Sequence, residues 1–386
     1  MLALRFAPWL SPLALVVATA GCGAGGPPTR DVVRAYGAVV SATYDDVVAR
    51  ATDLRDAVDV LVASPSQATL DAARAAWIAA RPSYSRSEAF RFYGGPIDDD
   101  KTGPEGRVNS WPLDENYVDY VEGNPSAGLV NDLARFPTLD VATIAAQNER
   151  DGEKNISTGY HAIEFLLWGQ DRNAAGPGAR PFTDYETGAG GTAANQARRG
   201  AYLKAIAQLL VDDLTPVRDA WRDVAGSYRR TLAESVDEKE ALRRILTGMG
   251  SLSGGEMTGE RMNVAFEEKD QENEQDCFSD NTLADLEANE LGIEAVYLGR
   301  YGAVDGPGIA ALVAARDPGL DQRMKQAIAD VRAAIRDIPA PFDQAVLGAD
   351  STPGRQKILA ALAALRKQTD LLSEIAALLG VTLNLG

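Results

Sequence analysis

Between residues 33 and 63 apolar side chains return every three or four positions, at Val47, Ala51, Leu54, Val58 and Leu61, and the same period governs most of the later chain. That period lays one apolar stripe along a helix, because side chains three and four apart share a face. A half-buried strand would alternate every second residue, and no stretch does so convincingly. The pattern therefore predicts an all-α fold.

Breakers divide the pattern into segments. Ser64-Pro65 ends the first helix and starts a second, expected to reach about residue 92 and to bend or break at Pro82, where an N–H is missing and the ring clashes. Residues 93–116 read as loop. Shorter helices are expected over 115–121, 139–147 and 156–168, the last capped by Gly169. Long helices follow over 196–228, kinked at Pro216, then over 236–266 and 283–298. Asp317-Pro318 and Thr352-Pro353 each set a capping residue before a first-turn proline, opening helices to about residues 338 and 379.

At 386 residues the chain exceeds what one hydrophobic core usually serves, so two helical-bundle domains are expected. The glycine-rich run 176–191 is the boundary candidate, dividing 32–190 from 191–386. Gly159 to Gly169 (GYHAIEFLLWG) and Gly292 to Gly302 (GIEAVYLGRYG) share glycines ten apart around an apolar helical core, with Glu294 opposite His161. An internal duplication, with a cleft between the two halves, would produce that echo.

The amino terminus suggests export. One positive charge precedes 15 apolar residues, 6–20, interrupted by Pro8 and Pro12 and followed by Thr19-Ala20-Gly21-Cys22. Such a segment is too short to span a bilayer and reads as a signal peptide, 1–21. Cys22 resembles the lipid-accepting cysteine of a bacterial lipoprotein signal, although Thr19 stands where a leucine is usual; an ordinary signal cleaved nearby is the alternative. Residues 22–31 then form a flexible tether, and the mature body faces the periplasm or the cell surface. With Cys22 acylated, Cys277 is left without a disulfide partner, so stability must come from core burial.

Charge narrows the partners. Arg5 leaves with the signal, so the mature chain carries 37 basic and 55 acidic side chains, a net of −18. Nucleic acid and anionic lipid surfaces are poor partners for such a body, whereas cations and cationic ligands suit it. The lipid at Cys22 would supply the membrane contact.

His161 is the only histidine of the chain. Two-histidine zinc helices and three-histidine cages are thereby excluded. Glu164 lies three residues on, so imidazole and carboxylate share a helix face and suit iron, zinc, copper or manganese. The same spacing also serves a hydrogen bond with no ion. Tyr160, Ile163, Phe165, Leu166, Leu167 and Trp168 make the helix mostly apolar, and a polar pair buried there needs a partner or an ion.

At this point the residues resemble a known family. Gly159-Tyr160-His161-Ala162-Ile163-Glu164 resembles the GxHxxE signature of the imelysin family, bacterial envelope proteins that include the imelysin peptidase and iron-regulated proteins. Ser87-Glu88-Ala89-Phe90-Arg91-Phe92, Gly95-Pro96-Ile97-Asp98 and Asn109-Ser110-Trp111-Pro112-Leu113 are similar to its first-domain segments. Cys277-Phe278-Ser279-Asp280-Asn281-Thr282, after the acidic run 270–274, is similar to its iron-regulated branch. The resemblance spans about residues 32–380. It implies a two-domain helical envelope protein with His161 and Glu164 near the domain interface.

Further oxygen ligands are sought among acids on apolar faces. Glu256, Glu260 and Glu267 recur at four and seven on the 236–266 helix, with Arg261 as an alternative salt-bridge partner. Glu88, in the matched segment, is another candidate, with Arg86 or Arg91 as its alternative partner. The acidic run Glu267, Glu268, Asp270, Glu272, Glu274, Asp276 and Asp280 lacks the spacing and turn glycine of a calcium loop and is expected to be a solvated loop, at most an electrostatic funnel. Cys277 could pair with His161 as thiol nucleophile and base only if the fold brings them together, and is expected instead to be a buried or partly buried free thiol. Ser253-Gly254-Gly255 and the 188–191 glycines lack the lysine of a phosphate loop, and the tryptophans are assigned to the core.

Three functions follow from these readings. The first is a lipid-anchored metal-binding protein of iron uptake, binding a divalent or trivalent ion or its chelate, iron favoured over zinc. The second is a metallopeptidase, for which no base is identified by pattern and a second imidazole is lacking. The third is an interaction scaffold whose cleft holds an envelope protein or a siderophore-like ligand.

Overall fold

Eight long helices form the frame of the chain, seen in a computed structural model that describes residues 25–384. The expected signal peptide and Cys22 lie outside the described residues. The helices are α1 (Thr29–Ala63), α2 (Gln67–Ser87), α3 (Gly159–Trp168), α4 (Gln196–Ala220), α5 (Glu238–Ser251), α6 (Thr282–Leu298), α7 (Pro318–Arg336) and α8 (Pro353–Leu378). The all-α expectation holds: among the described residues the extended pairing is a two-residue ribbon of β1 (Arg300–Tyr301) with β2 (Val304–Asp305) and a lone bridge between Val121 and Asn124. None of the described helices is long and apolar enough to cross a membrane.

Local chemistry explains the helix ends. Ser66 and Thr69 form a reciprocal capping box at the start of α2, Thr69 N donating to Ser66 Oγ at 3.2 Å and Ser66 N to Thr69 Oγ1 at 3.0 Å. Asp317 accepts from Leu320 N at 2.9 Å and caps α7 as its sequence suggests. Thr352 makes no such bond at α8. Pro82 does not break α2, which runs on to Ser87 before a 3₁₀ turn at Glu88–Phe90. The helix expected to reach residue 228 ends at Ala220, and Ser227 instead caps a short helix, Tyr228–Glu234.

The largest departure lies beyond α5. The chain continues as a π-helix over Leu252–Asn263 and then as Val264–Glu268. Contacts there span five residues: Thr258 Oγ1 donates to Ser253 O at 2.7 Å, and Arg261 pairs with Glu256 at 3.1 Å. A face read off a 3.6-residue period is therefore wrong for this segment.

One apolar cluster runs through the molecule. α1 packs on α2 and α4, and α3 lies against both α2 and α4; α6, α7, α8 and the π segment pack together, with α6 also against α2. The glycine-rich run thus falls between α3 and α4, two helices that touch. The glycine echo aligns unlike positions: Gly159 starts α3, whereas Gly292 is inside α6 and Glu294 pairs with Arg332 at 2.8 Å.

Candidate metal centre

All ten residues of α3 are buried, and glycines set both ends. Gly159 has φ +82°, and a Cβ there would collide with the Val108 carbonyl, so only glycine fits. Gly169, at φ +71°, ends the helix and donates its N–H to Phe165 O at 2.7 Å. Trp77 Nε1 donates to Tyr160 O at 2.9 Å and ties the first turn of α3 to α2. These constraints leave His161 and Glu164 with little freedom.

His161 Nδ1 lies 3.1 Å from Glu164 Oε2 and 3.6 Å from Asp276 Oδ1. The three side chains are 1%, 0% and 0% exposed. One ligand atom from each falls within 4.8 Å of the other two. Asp276 comes from the loop ahead of α6. That loop also grips the glutamate, because Ser279 donates to Glu164 Oε1 from its N–H at 3.0 Å and its hydroxyl at 2.7 Å.

The cluster is electrostatically incomplete. Arg81 is the neighbouring cation, but it is engaged elsewhere, donating to Asp285 and to Asn109 Oδ1 at 2.6 Å while stacked 4.9 Å from the Tyr160 ring. Its approach to Asp276 is 3.6 Å. Three carboxyl groups, Glu164, Asp276 and Asp285, thus face one guanidinium. His161 Nε2 and Asp276 Oδ1 have no hydrogen-bond partner.

Titration follows from that imbalance. Burial, then the positive charges of Arg81 and Arg261, push His161 well below the usual imidazole range, so the ring is neutral. Burial, then the charge of Asp276, holds Glu164 well above the carboxylate range. Asp276 is raised by burial and then by Asp285. Two unit charges no more than 4.8 Å apart repel by at least about 3 kcal/mol at an effective dielectric constant near 20. Both shifts favour the protonated form of each acid.

The other acids singled out in the sequence do not join this cluster. Glu88 is saturated: it accepts from Arg261 at 2.8 and 2.6 Å, from Asn289 at 2.8 Å and from Arg91 at 3.0 Å. Burial alone would raise its pKa, but Arg261, then Arg91 and Arg81, bring it to about 2. Glu256 is half-buried and paired with Arg261. Glu260 is exposed and lines, with Glu256, Arg261 and Gln275, a separate cleft of about 220 Å³. Glu267 is exposed on Val264–Glu268. Glu256 pairs with Arg261, as the alternative had it, whereas Glu88 pairs with Arg91 and chiefly with Arg261 rather than with Arg86.

The acidic run divides. Asp276 and Glu274 are buried, contrary to the solvated loop expected. Glu268, Asp270 and Glu272 instead line a cleft of about 670 Å³ with Asp114, Glu115 and Glu122, whose floor includes Cys277 and Phe278. Asp276 adjoins Cys277 in the sequence, but nothing there marks it as the third acid. Cys277 is buried, and burial, then Glu164, raises its thiol pKa, which leaves it unreactive.

Comparison with known proteins follows the same lines. Residues 40–372 match the profile of a peptidase family described as Imelysin. Iron-regulated protein A of Synechococcus elongatus is 26% identical over 345 residues, covering 86% of this chain and 82% of that protein. A crystal structure of a protein named as an iron-regulated protein A precursor, from Parabacteroides distasonis, superposes with a TM-score of 0.70 at 21% identity, over 92% of this chain and 96% of the other. An imelysin-like protein from Psychrobacter arcticum gives 0.63 at 15% identity, over 94% and 99%. Both likenesses are of fold.

Proposed function

The chain belongs to the imelysin family, and from that premise we propose that it is an iron-handling protein of the bacterial envelope that binds a metal ion through His161, Glu164 and Asp276. The observation that carries this reading is the buried excess of carboxylate beside a neutral imidazole. An imidazole nitrogen with two carboxylate oxygens suits iron, with zinc as the alternative. The orphaned Asp276 Oδ1 and the proton-holding acids fit a group of opposite charge. The name of the Synechococcus relative supports iron as the ion.

Each side chain has a role in this reading. His161 offers a nitrogen without first losing a proton. Glu164 is held by Ser279, so its second oxygen is aimed at the imidazole. Asp276 brings the second carboxylate, and Arg81 limits the total negative charge. The acidic cleft above Cys277 and Phe278 concentrates cations near the loop that carries Asp276. Anchoring through a lipid on Cys22 belongs to the same proposal and is tested by membrane fractionation of Cys22→Ala.

A peptidase reading has less support. The ligand set is sealed from solvent, so a polypeptide has no approach to it. Chelator-sensitive cleavage of a protein substrate would revive it. A scaffold reading requires a partner that binds equally well to the His161→Ala, Glu164→Ala double variant.

The test is metal titration of chelator-treated protein with Fe²⁺ and Zn²⁺, followed by elemental analysis. One ion per chain is expected, with affinity reduced on the order of 100-fold in His161→Ala. Equal binding by wild type and variant would remove the reading.

A further inference from the structure

The loop that supplies Asp276 carries a second acidic group. Glu274 and Asp280, on either side of Asp276 in sequence, meet Asp343 of the short helix Phe342–Ala345, and one carboxylate oxygen from each lies within 4.8 Å of the other two. Glu274 and Asp343 are each 1% exposed, and Asp280 is half-buried.

The partners of these acids set them apart. Several buried acids are matched by arginine: Asp119 by Arg180 and Arg199, Asp285 by Arg81, and Glu88 by Arg261. Among the described residues no lysine or arginine pairs with Glu274, Asp280 or Asp343, and both oxygens of Glu274, with Oδ1 of Asp280 and of Asp343, have no hydrogen-bond partner. Asp343 Oδ2 accepts from Gln344 Nε2 at 2.6 Å, which leaves its other oxygen free for a ligand. Carboxylates buried this close together either keep their protons or face an opposite charge, and a cation supplies the second.

We propose that Glu274, Asp280 and Asp343 form a second cation site, for Ca²⁺, distinct from the His161 centre. The donors are all hard oxygens, with no imidazole or thiol to favour a transition metal. Their spread fits the coordination sphere of Ca²⁺, whose oxygen ligands stand about 2.4 Å from the ion, and the partial exposure of Asp280 leaves one side open to water ligands. The site joins the loop 270–281 to Phe342–Ala345, and its three carboxylates are not among the ligands of the His161 centre.

The experiment is calorimetric titration of the chelator-treated full chain with CaCl₂ alone, alongside thermal melting. One Ca²⁺ per chain is expected, with a rise in melting temperature. Asp343→Asn should weaken binding at least 10-fold, and His161→Ala should leave it unchanged. Asp280→Asn alters a half-buried side chain and decides the matter if Asp343→Asn fails to fold. Absence of stoichiometric Ca²⁺ binding in the wild type, binding that survives Asp280→Asn, or loss in His161→Ala would each overturn the assignment.

Discussion

Asp276 Oδ1 stands 3.6 Å from His161 Nδ1, although one residue lies on α3 and the other on a loop far along the chain. The contact joins a neutral ring to a buried acid whose facing oxygen has no hydrogen bond. Asp276→Asn keeps the shape and removes the charge. It is expected to reduce transition-metal affinity on the order of 100-fold, whereas Glu267→Gln, on an exposed position, leaves it unchanged. Titration of both variants checks this, and equal losses would refute the ligand set.

Ser279 offers a test of positioning. Its hydroxyl donates at 2.7 Å to the glutamate oxygen that faces away from His161. Ser279→Ala should cost about 10-fold in metal affinity while the backbone N–H still holds Glu164. An unchanged affinity, measured with the melting temperature as a folding control, would mean that the hydroxyl does not orient the carboxylate.

Metal binding should release protons. Glu164 and Asp276 titrate above the ordinary carboxylate range, so affinity should rise with pH through that raised range and fall at more acid pH. Metal-free protein should show the opposite trend in stability, because the unfolded chain loses these protons at lower pH than the folded one. Below the ordinary carboxylate range both states are protonated and the penalty vanishes. Calorimetry in two buffers of different ionisation enthalpy measures the released protons, and none released would refute the scheme.

Arg261 holds the neighbouring network together. It donates to Glu88 and Asn289 from the π segment, so Arg261→Met leaves Glu88 buried without its main partner. The expected loss is about 3 to 5 kcal/mol. Glu88→Gln in the same chain should restore part of it. Denaturant unfolding of the two variants decides, and a loss that Glu88→Gln does not reduce would place the cost elsewhere.

Glu290 is a buried acid of the opposite kind. Burial raises its pKa to about 8, with Gln368 Nε2 donating to one oxygen at 3.0 Å and the other unpartnered. The unfolded chain ionises near 4.5, so Glu290 costs stability progressively as pH rises from there to about 8. Glu290→Gln should therefore be nearly neutral at pH 4 and stabilise by about 3 to 5 kcal/mol at pH 9, as an order of magnitude. A pH-independent difference would show that the group does not titrate in this way.

The sequence by itself determined the helical class, most helix positions, the His161 and Glu164 pair and the family, because each rests on spacing within one helix or on local motifs. It also placed α7 behind Asp317 and ended α3 at Gly169. Tertiary structure decided the third acid, and it withdrew Glu88, Glu256, Glu260 and Glu267 from the cluster. Asp276 looks like one more charge in an acidic run, and only the return of that loop onto α3 buries it beside the imidazole. The π segment moved Glu256 onto Arg261, since a helix that widens its turn changes which side chains share a face. Burial and charge balance belong to contacts between distant segments, and a period along the chain does not encode them.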